Sequence, residues 1–283
     1  MRFAAGLTAC SLVLSLLALL PPRVAYADEP IFGYTRTVDT LPKGAKEIEL
    51  WATQRSDKGQ GHYVAYDYRA EFEYGFTDRF TGALYLNALQ QNISGVPFLE
   101  DRNQTRFDGF SVEAKYYILS PYKDDFGLGL YFEPEYARFS SISGERRTEY
   151  AVEMKLLLQK NFLDDQLIWA GNLNAEIARE QEGDSWAGEA VLGFTTGLSY
   201  RFAPGWFGGV ELDYRSVWPE FAEREAWGLF LGPTVHYAAK SWWATFSWLP
   251  QIKGRPVDPE LSSRLHLEEF EKNEFRLRVG YTF

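Results

Sequence analysis

The sequence predicts an all-β chain: a transmembrane, up-and-down antiparallel β-barrel, with twelve strands as the expected number and ten or fourteen as the alternatives. Three observations predict it. Apolar and charged residues alternate at period two along most of the chain. Aromatic residues make up 17% of it, yet beyond the N-terminal region no apolar run approaches the about 20 residues of a spanning helix. The links between alternating segments sort into short and long. A membrane strand needs only about 9–11 residues with alternate positions apolar, which reconciles high aromatic content with negative mean hydropathy.

The first residues read as an export signal. Arg2 precedes an apolar run from Leu12 to Leu20, Pro21 and Pro22 close it, and Ala25-Tyr26-Ala27 has the small-x-small form of a signal-peptidase site. Residues 1–27 are therefore expected to be a signal peptide cleaved after Ala27. Leu7-Thr8-Ala9-Cys10 has the look of a lipid-attachment site but lies before the apolar run, where such a site does not belong. Cleavage leaves 256 residues without cysteine, since Cys10 is the only one, so disulfides and thiolate-bound metals are not expected. It also removes Arg2 and Arg23 and no acid, which lowers the net charge from −10 to −12. That acidity argues against nucleic acid as a partner.

Residues 28–44 carry no period and are expected to lead in from the periplasm to a barrel over 45–283. The strand that follows the first hairpin loop shows the pattern best. Val64, Tyr66, Tyr68, Ala70, Phe72, Tyr74 and Phe76 share one face, and Asp67, Arg69, Glu71 and Glu73 the other. A helix would scatter both sets. The final segment repeats it, with Phe275, Leu277, Val279, Tyr281 and Phe283 against Glu274, Arg276 and Arg278. The expected spans are 45–55, 63–76, 79–90, 105–119, 126–139, 146–160, 165–179, 186–202, 206–217, 226–238, 241–252 and 272–283.

Links after even-numbered strands are tight, as at Thr77-Asp78 and Ala239-Lys240. Those after odd strands run longer, notably Gln91–Gln104 and Lys253–Glu271. Outer-membrane barrels have short periplasmic turns, longer external loops and an even strand count, so both ends are expected in the periplasm of a Gram-negative cell. Phe76, Phe80, Phe126, Phe139, Trp186, Phe202, Trp206 and Trp218 near strand ends suit interfacial girdles. Phe283, at the end of the last alternating strand, suits the signal read by the barrel assembly machinery. Deleting it is expected to lower the heat-resistant folded fraction in outer-membrane preparations.

From Ile31 onward the chain resembles an uncharacterised family of Gram-negative outer-membrane barrel proteins. The resemblance rests on Phe32-Gly33-Tyr34, Leu41-Pro42-Lys43-Gly44, Ser56-Asp57-Lys58-Gly59 and Tyr74-Gly75-Phe76-Thr77-Asp78-Arg79-Phe80. The last element is shared with other barrel families, among them transporters assigned to a phenol-degradation pathway. The resemblance implies a fold and a location, and no activity.

Parity also assigns the lumen. Its acids are Glu47, Glu49, Asp67, Glu71, Glu73, Glu113, Glu133, Glu135, Glu149, Glu153, Glu176, Glu189, Glu211, Asp213 and Glu274; its bases are Arg69, Lys115, Arg147, Lys155, Arg201, Arg215, Arg276 and Arg278. Lining an open path, the acidic excess favours cations. Paired across strands, the same groups make a closed scaffold. A passive channel for small solutes is the leading expectation, a closed structural or partner-binding barrel the second, and an outer-membrane hydrolase the third.

Catalysis is not expected. The residues two after His62, His236 and His266 are Val64, Ala238 and Glu268, so the His-x-Ser pairing of outer-membrane lipases is missing. His62 and His266 fall in charge-rich loops that suit solvent. Glu133 and Glu135 flank Pro134 on one face, but two carboxylates make a weak cation site and no metal is expected there. Lys58-Gly59-Gln60-Gly61 lacks the strand–loop–helix setting of a phosphate loop, and no cofactor is expected. The long loops Gln91–Gln104 and Lys253–Glu271 can fold inward as a constriction or outward as a binding surface.

Overall fold

Successive side chains of a strand point to opposite faces, and here that division separates a lipid-facing surface from a lumen. The computed structural model describes residues 30–183, 185–258 and 260–283, so the expected signal peptide, Cys10 and the cleavage point lie outside the described residues. Twelve antiparallel strands form a closed barrel in sequence order. They are β1 (Lys46–Ser56), β2 (His62–Thr77), β3 (Phe80–Ser94), β4 (Arg102–Leu119), β5 (Gly127–Phe139), β6 (Arg146–Phe162), β7 (Leu167–Glu182), β8 (Ser185–Ala203), β9 (Trp206–Pro219), β10 (Ala226–Ala238), β11 (Trp242–Gly254) and β12 (Asn273–Thr282).

Closure comes from β1 pairing with β12 from Glu47–Thr282 to Ser56–Asn273. Lipid offers backbone groups no hydrogen bonds, so only a sheet without an edge spans it. The outer face carries Leu50, Phe72, Leu86, Val112, Phe132 and Leu173, all well exposed. A water-soluble barrel would bury such residues; a hydrocarbon surround requires them outside. Aromatic contacts gather at two heights. Phe202, Trp206, Tyr237 and Trp242 touch in series beside the short turns. Tyr136, Tyr150 and Trp186 do so towards the loop end. Phe139 is a correction: it shares the inward parity of Glu133 and Glu135 and is buried, under the Arg106 guanidinium, rather than at the interface.

Most strands outrun the 9–11 residues needed to cross hydrocarbon. The expected Gln91–Gln104 loop is strand at both its ends, because β3 and β4 stay paired from Gln91–Gln104 to Ile93–Arg102, which leaves residues 95–101 as the loop. Its glutamines and asparagines are polar on both faces, which reads as loop in a sequence but suits a hairpin rising into water. Turn chemistry closes the other end. Gly205, between β8 and β9, has φ 74, and a Cβ there would meet the Ala238 carbonyl oxygen at 2.4 Å, so only glycine fits without strain.

The largest departure from expectation is the N-terminal segment. Residues 30–41 do not lead in from outside: they lie in the lumen, with Phe32 and Leu41 fully buried. Two physical reasons account for this. Twelve strands enclose more space than their inward side chains fill, and Ile31, Phe32, Val38 and Leu41 gain by leaving water.

Candidate functional site

The inserted segment forms an arch. It starts near the short-turn end, where the Pro30 carbonyl accepts from Thr245 Oγ1. It climbs to the middle of the barrel at Tyr34–Arg36 and returns to the rim at Lys43, whose N–H donates to Asp78 Oδ1 at 3.0 Å. Having no strand partner, its backbone must be satisfied by wall side chains. Glu211 on β9 accepts three successive amides, from Gly33 at 2.8 Å, Tyr34 at 2.8 Å and Thr35 at 2.9 Å. Asn172 on β7 brackets Arg36, accepting from its N–H at 2.7 Å and donating to its carbonyl at 2.8 Å. Gln159 and Thr81 accept from Val38 and Leu41, each at 2.9 Å.

Apolar contacts reinforce these bonds. Phe32 packs with Ile168 and Ala170, and against Gly197, where a Cβ would come within 2.5 Å of its ring. Tyr34 joins Val217, Phe230, Leu249 and Phe270.

The loop end is also covered. Ser141 in the β5–β6 loop offers its carbonyl to Arg55 at 2.6 Å, and the Gln91 amide bonds the same loop. The β11–β12 loop folds over the β1–β2 loop, where buried Lys58 donates to the carbonyls of Glu268 at 2.9 Å and Phe270 at 3.2 Å. Burial pushes the Lys58 ammonium down from its ordinary value, partly offset by Glu271. Residues of Lys253–Glu271 thus fold inward. His266, expected in solvent, is instead buried against Phe270, and burial lowers its pKa to about 4, so it stays neutral. His62 is exposed, and His236 is buried beside Thr245, 2.7 Å away, and Trp243.

Between arch and loops lies a cavity of about 420 Å³. Gly33, Tyr34 and Arg36 bound it from the arch and Ser141 from the loop. Of the lumen residues expected from parity, Asp67, Arg69, Glu133, Glu135, Glu153, Lys155, Glu176, Asp213, Arg215, Glu274 and Arg276 line this cavity. Glu71, Glu73, Glu113, Lys115, Glu211 and Arg278 are buried in the wall instead. Glu189 sits near the loop end opposite Pro219, and Arg201 is exposed beside a short turn.

Most of the lining charge is paired. Arg215 bridges Asp213 and Glu274, both at 2.7 Å. Lys155 meets Glu153 at 2.8 Å, and Arg55 meets Asp67 at 2.7 Å. Arg69 pairs with Glu133, which also accepts from Ser111 and Tyr131. Glu133 is thereby committed to the protein. Glu135 and Glu176 form no ion pair among the described residues, and both line the cavity. Arg276 faces the same space, donating to Thr53 at 2.8 Å and stacked on Tyr34 at 3.9 Å.

The sequence does not single out the arch residues, or Trp51, which lines the cavity beneath the guanidinium groups of Arg276 and Arg278. A usable signal was present: Ile31-Phe32-Gly33-Tyr34 is too apolar for a stretch left in water.

Comparison with known proteins agrees with this architecture. No curated protein matches the chain by sequence. Among solved structures, it is similar to the COG4313 outer membrane channel from Pseudomonas putida F1, with 16% identity and a TM-score of 0.57, over 87% of this chain and 98% of that one. It is also similar to the KdgM porin in complex with disordered oligogalacturonate, with 14% identity and a TM-score of 0.51, over 84% and 99%. The β domain of the Bordetella autotransporter BrkA matches with 13% identity and a TM-score of 0.50, over 85% and 99%. These likenesses concern the fold. Residues 24–283 match the family described as Family of unknown function (DUF6662). The chain therefore belongs to that family, as a closed twelve-stranded barrel of the outer-membrane type.

Proposed function

We propose that the protein is a passive outer-membrane channel for small solutes with a mild preference for cations, its path running through the cavity and past the N-terminal arch. The observation that carries this reading is the cavity itself. Its about 420 Å³ lies within the about 300–1,000 Å³ of small-molecule sites, and it is lined by charge rather than filled by apolar side chains. The fold is shared with barrels described as a channel and a porin. Because most acids are paired, the preference for cations is mild, and Glu135 and Glu176 carry it to the extent that water in the path ionises them.

Planar-bilayer recording tests this. Stepwise conductance is expected, with reversal potentials in a KCl gradient favouring potassium, more so at low salt where screening is weaker. The double variant Glu135→Gln/Glu176→Gln is expected to lower the potassium-to-chloride permeability ratio about twofold or more, while Glu133→Gln alone has the smaller effect on it. An unchanged ratio in the double variant removes these residues from the path.

The hydrogen bonds that hold the arch favour a second reading, a closed barrel that opens only when the segment leaves. Silent wild-type insertions together with a conducting variant lacking residues 30–41 would establish it. Silence of both would leave a structural or partner-binding scaffold.

A further inference from the structure

We propose that the inner wall of β1, β2 and β4 binds a divalent cation of the calcium–magnesium class, with Glu71, Glu73 and Glu113 as ligands and Glu47 and Glu49 beside them. The cation would tie the barrel seam to the arch. Register brings the five together: Glu47 lies opposite Glu73 and Glu49 opposite Glu71, while Ala83 on β3 faces both Glu73 and Glu113.

All five are buried. One carboxylate oxygen from each of Glu71, Glu73 and Glu113 lies within 4.8 Å of the others, and the same holds for Glu47, Glu49 and Glu73. Two metal–oxygen bonds of about 2.3–2.6 Å on opposite sides of calcium span that distance.

Two further observations point to a ligand. Glu71 Oε2 and Glu113 Oε1 are buried without a hydrogen-bond partner, which is costly unless something else meets them. Neither is an idle rotamer. The second oxygen of Glu71 takes the Tyr85 hydroxyl at 2.7 Å, and that of Glu113 is held by the same hydroxyl and by Arg36. One hydroxyl proton cannot serve two carboxylates.

Charge supplies the second observation. Arg278 answers Glu49 and Arg36 answers Glu113. Lys115, at the next inward position of β4 and also buried, is a third cation. Five acids against three bases leave two negative charges, which one divalent ion neutralises. The all-oxygen donor set suits a hard cation and not zinc or copper. Without the ion, two carboxylates must take up protons, and that is the alternative the experiment separates.

The probe is terbium on the full mature protein, refolded in detergent after metal removal. Trp51 Nε1 lies 2.8 Å from Glu49 and Trp243 Nε1 3.2 Å from Glu47, so tryptophan excitation should sensitise an ion bound here. Saturable emission, displaced by calcium, is the expected result, with affinity at least tenfold weaker in Glu73→Gln and in Glu71→Gln. Calcium should also raise the temperature at which the wild-type folded band is lost, relative to chelator. That comparison needs no variant, so it decides the matter if the variants fail to fold. Neither emission nor thermal shift in the wild type overturns the proposal and leaves shared protons. Affinity lost in Glu176→Gln but kept in Glu73→Gln overturns it too, placing the ion in the cavity.

Discussion

Replacing Glu211 with glutamine is expected to release the N-terminal arch. The carboxylate accepts amides from Gly33, Tyr34 and Thr35 and the Ser247 hydroxyl, the last at 2.7 Å. Glutamine keeps the shape but turns one acceptor into a donor, which then faces other donors. An amide nitrogen on the Tyr34–Thr35 side loses two bonds to a charged group, and on the Gly33 side one, because the Ser247 hydroxyl can turn to accept from it and donate to Thr234. At ~1.5–3 kcal/mol each, the less costly orientation sets the floor, and the population with the arch displaced should rise about tenfold or more. Two measurements report it. Single-channel traces should show more frequent excursions to a higher level. Trypsin should cut after Arg36, a bond the wild type buries. Unchanged cleavage and unchanged traces would mean that the other wall contacts hold the arch without Glu211.

Arg278→Leu is expected to cost the most stability of any single change in the wall. The guanidinium is fully buried, lies 2.7 Å from Glu49 Oε2 and stacks 3.9 Å from the Trp51 ring centroid. Removing it leaves a buried carboxylate uncompensated, a change that costs about 3–5 kcal/mol. Lysine keeps the charge but not the planar stacking surface, so Arg278→Lys should fall between. Adding Glu49→Gln to Arg278→Leu should recover part of the loss, because it removes the stranded charge. Urea midpoints of the detergent-folded barrel give the comparison. Equal midpoints for wild type and Arg278→Leu would show that the ion pair contributes nothing net.

Much of the barrel is legible in the sequence because parity is local information. Leu277 and Phe275 against Arg276 and Arg278 tells which side faces lipid without knowledge of any other strand. Sorted turns add the strand count. What parity lacks is height and neighbourhood. Glu113 and Glu135 both point inward, yet one is locked in the wall against Arg36 and the other lines a cavity. The difference depends on partners many strands away. The arch is half legible: Ile31-Phe32-Gly33-Tyr34 marks a segment that leaves water, but not the wall that receives it. Glu211 lies 178 residues from Gly33, and no local period marks a segment held by distant side chains. The Gln91–Gln104 stretch fails differently, since Gln91-Asn92 and Asn103-Gln104 are polar at positions on both faces and so conceal strand ends that carry the hairpin beyond the membrane.

The claim on which the channel, its gating and its selectivity all depend is that residues 30–41 occupy the lumen. A cross-link between Gly33→Cys and Ser247→Cys tests it most directly. A Cβ at Gly33 would lie 2.8 Å from the Ser247 Cβ; disulfides want about 3.5–4.5 Å, so a small outward shift suffices. The only natural cysteine is Cys10, within the expected signal peptide, so the introduced pair has no competitor after cleavage. An intramolecular disulfide should form on oxidation, suppress excursions to higher conductance and be reversed by reductant. Two thiols that stay free, with the one introduced at position 33 open to a bulky maleimide in the folded protein, would place the segment outside the barrel and contradict the claim.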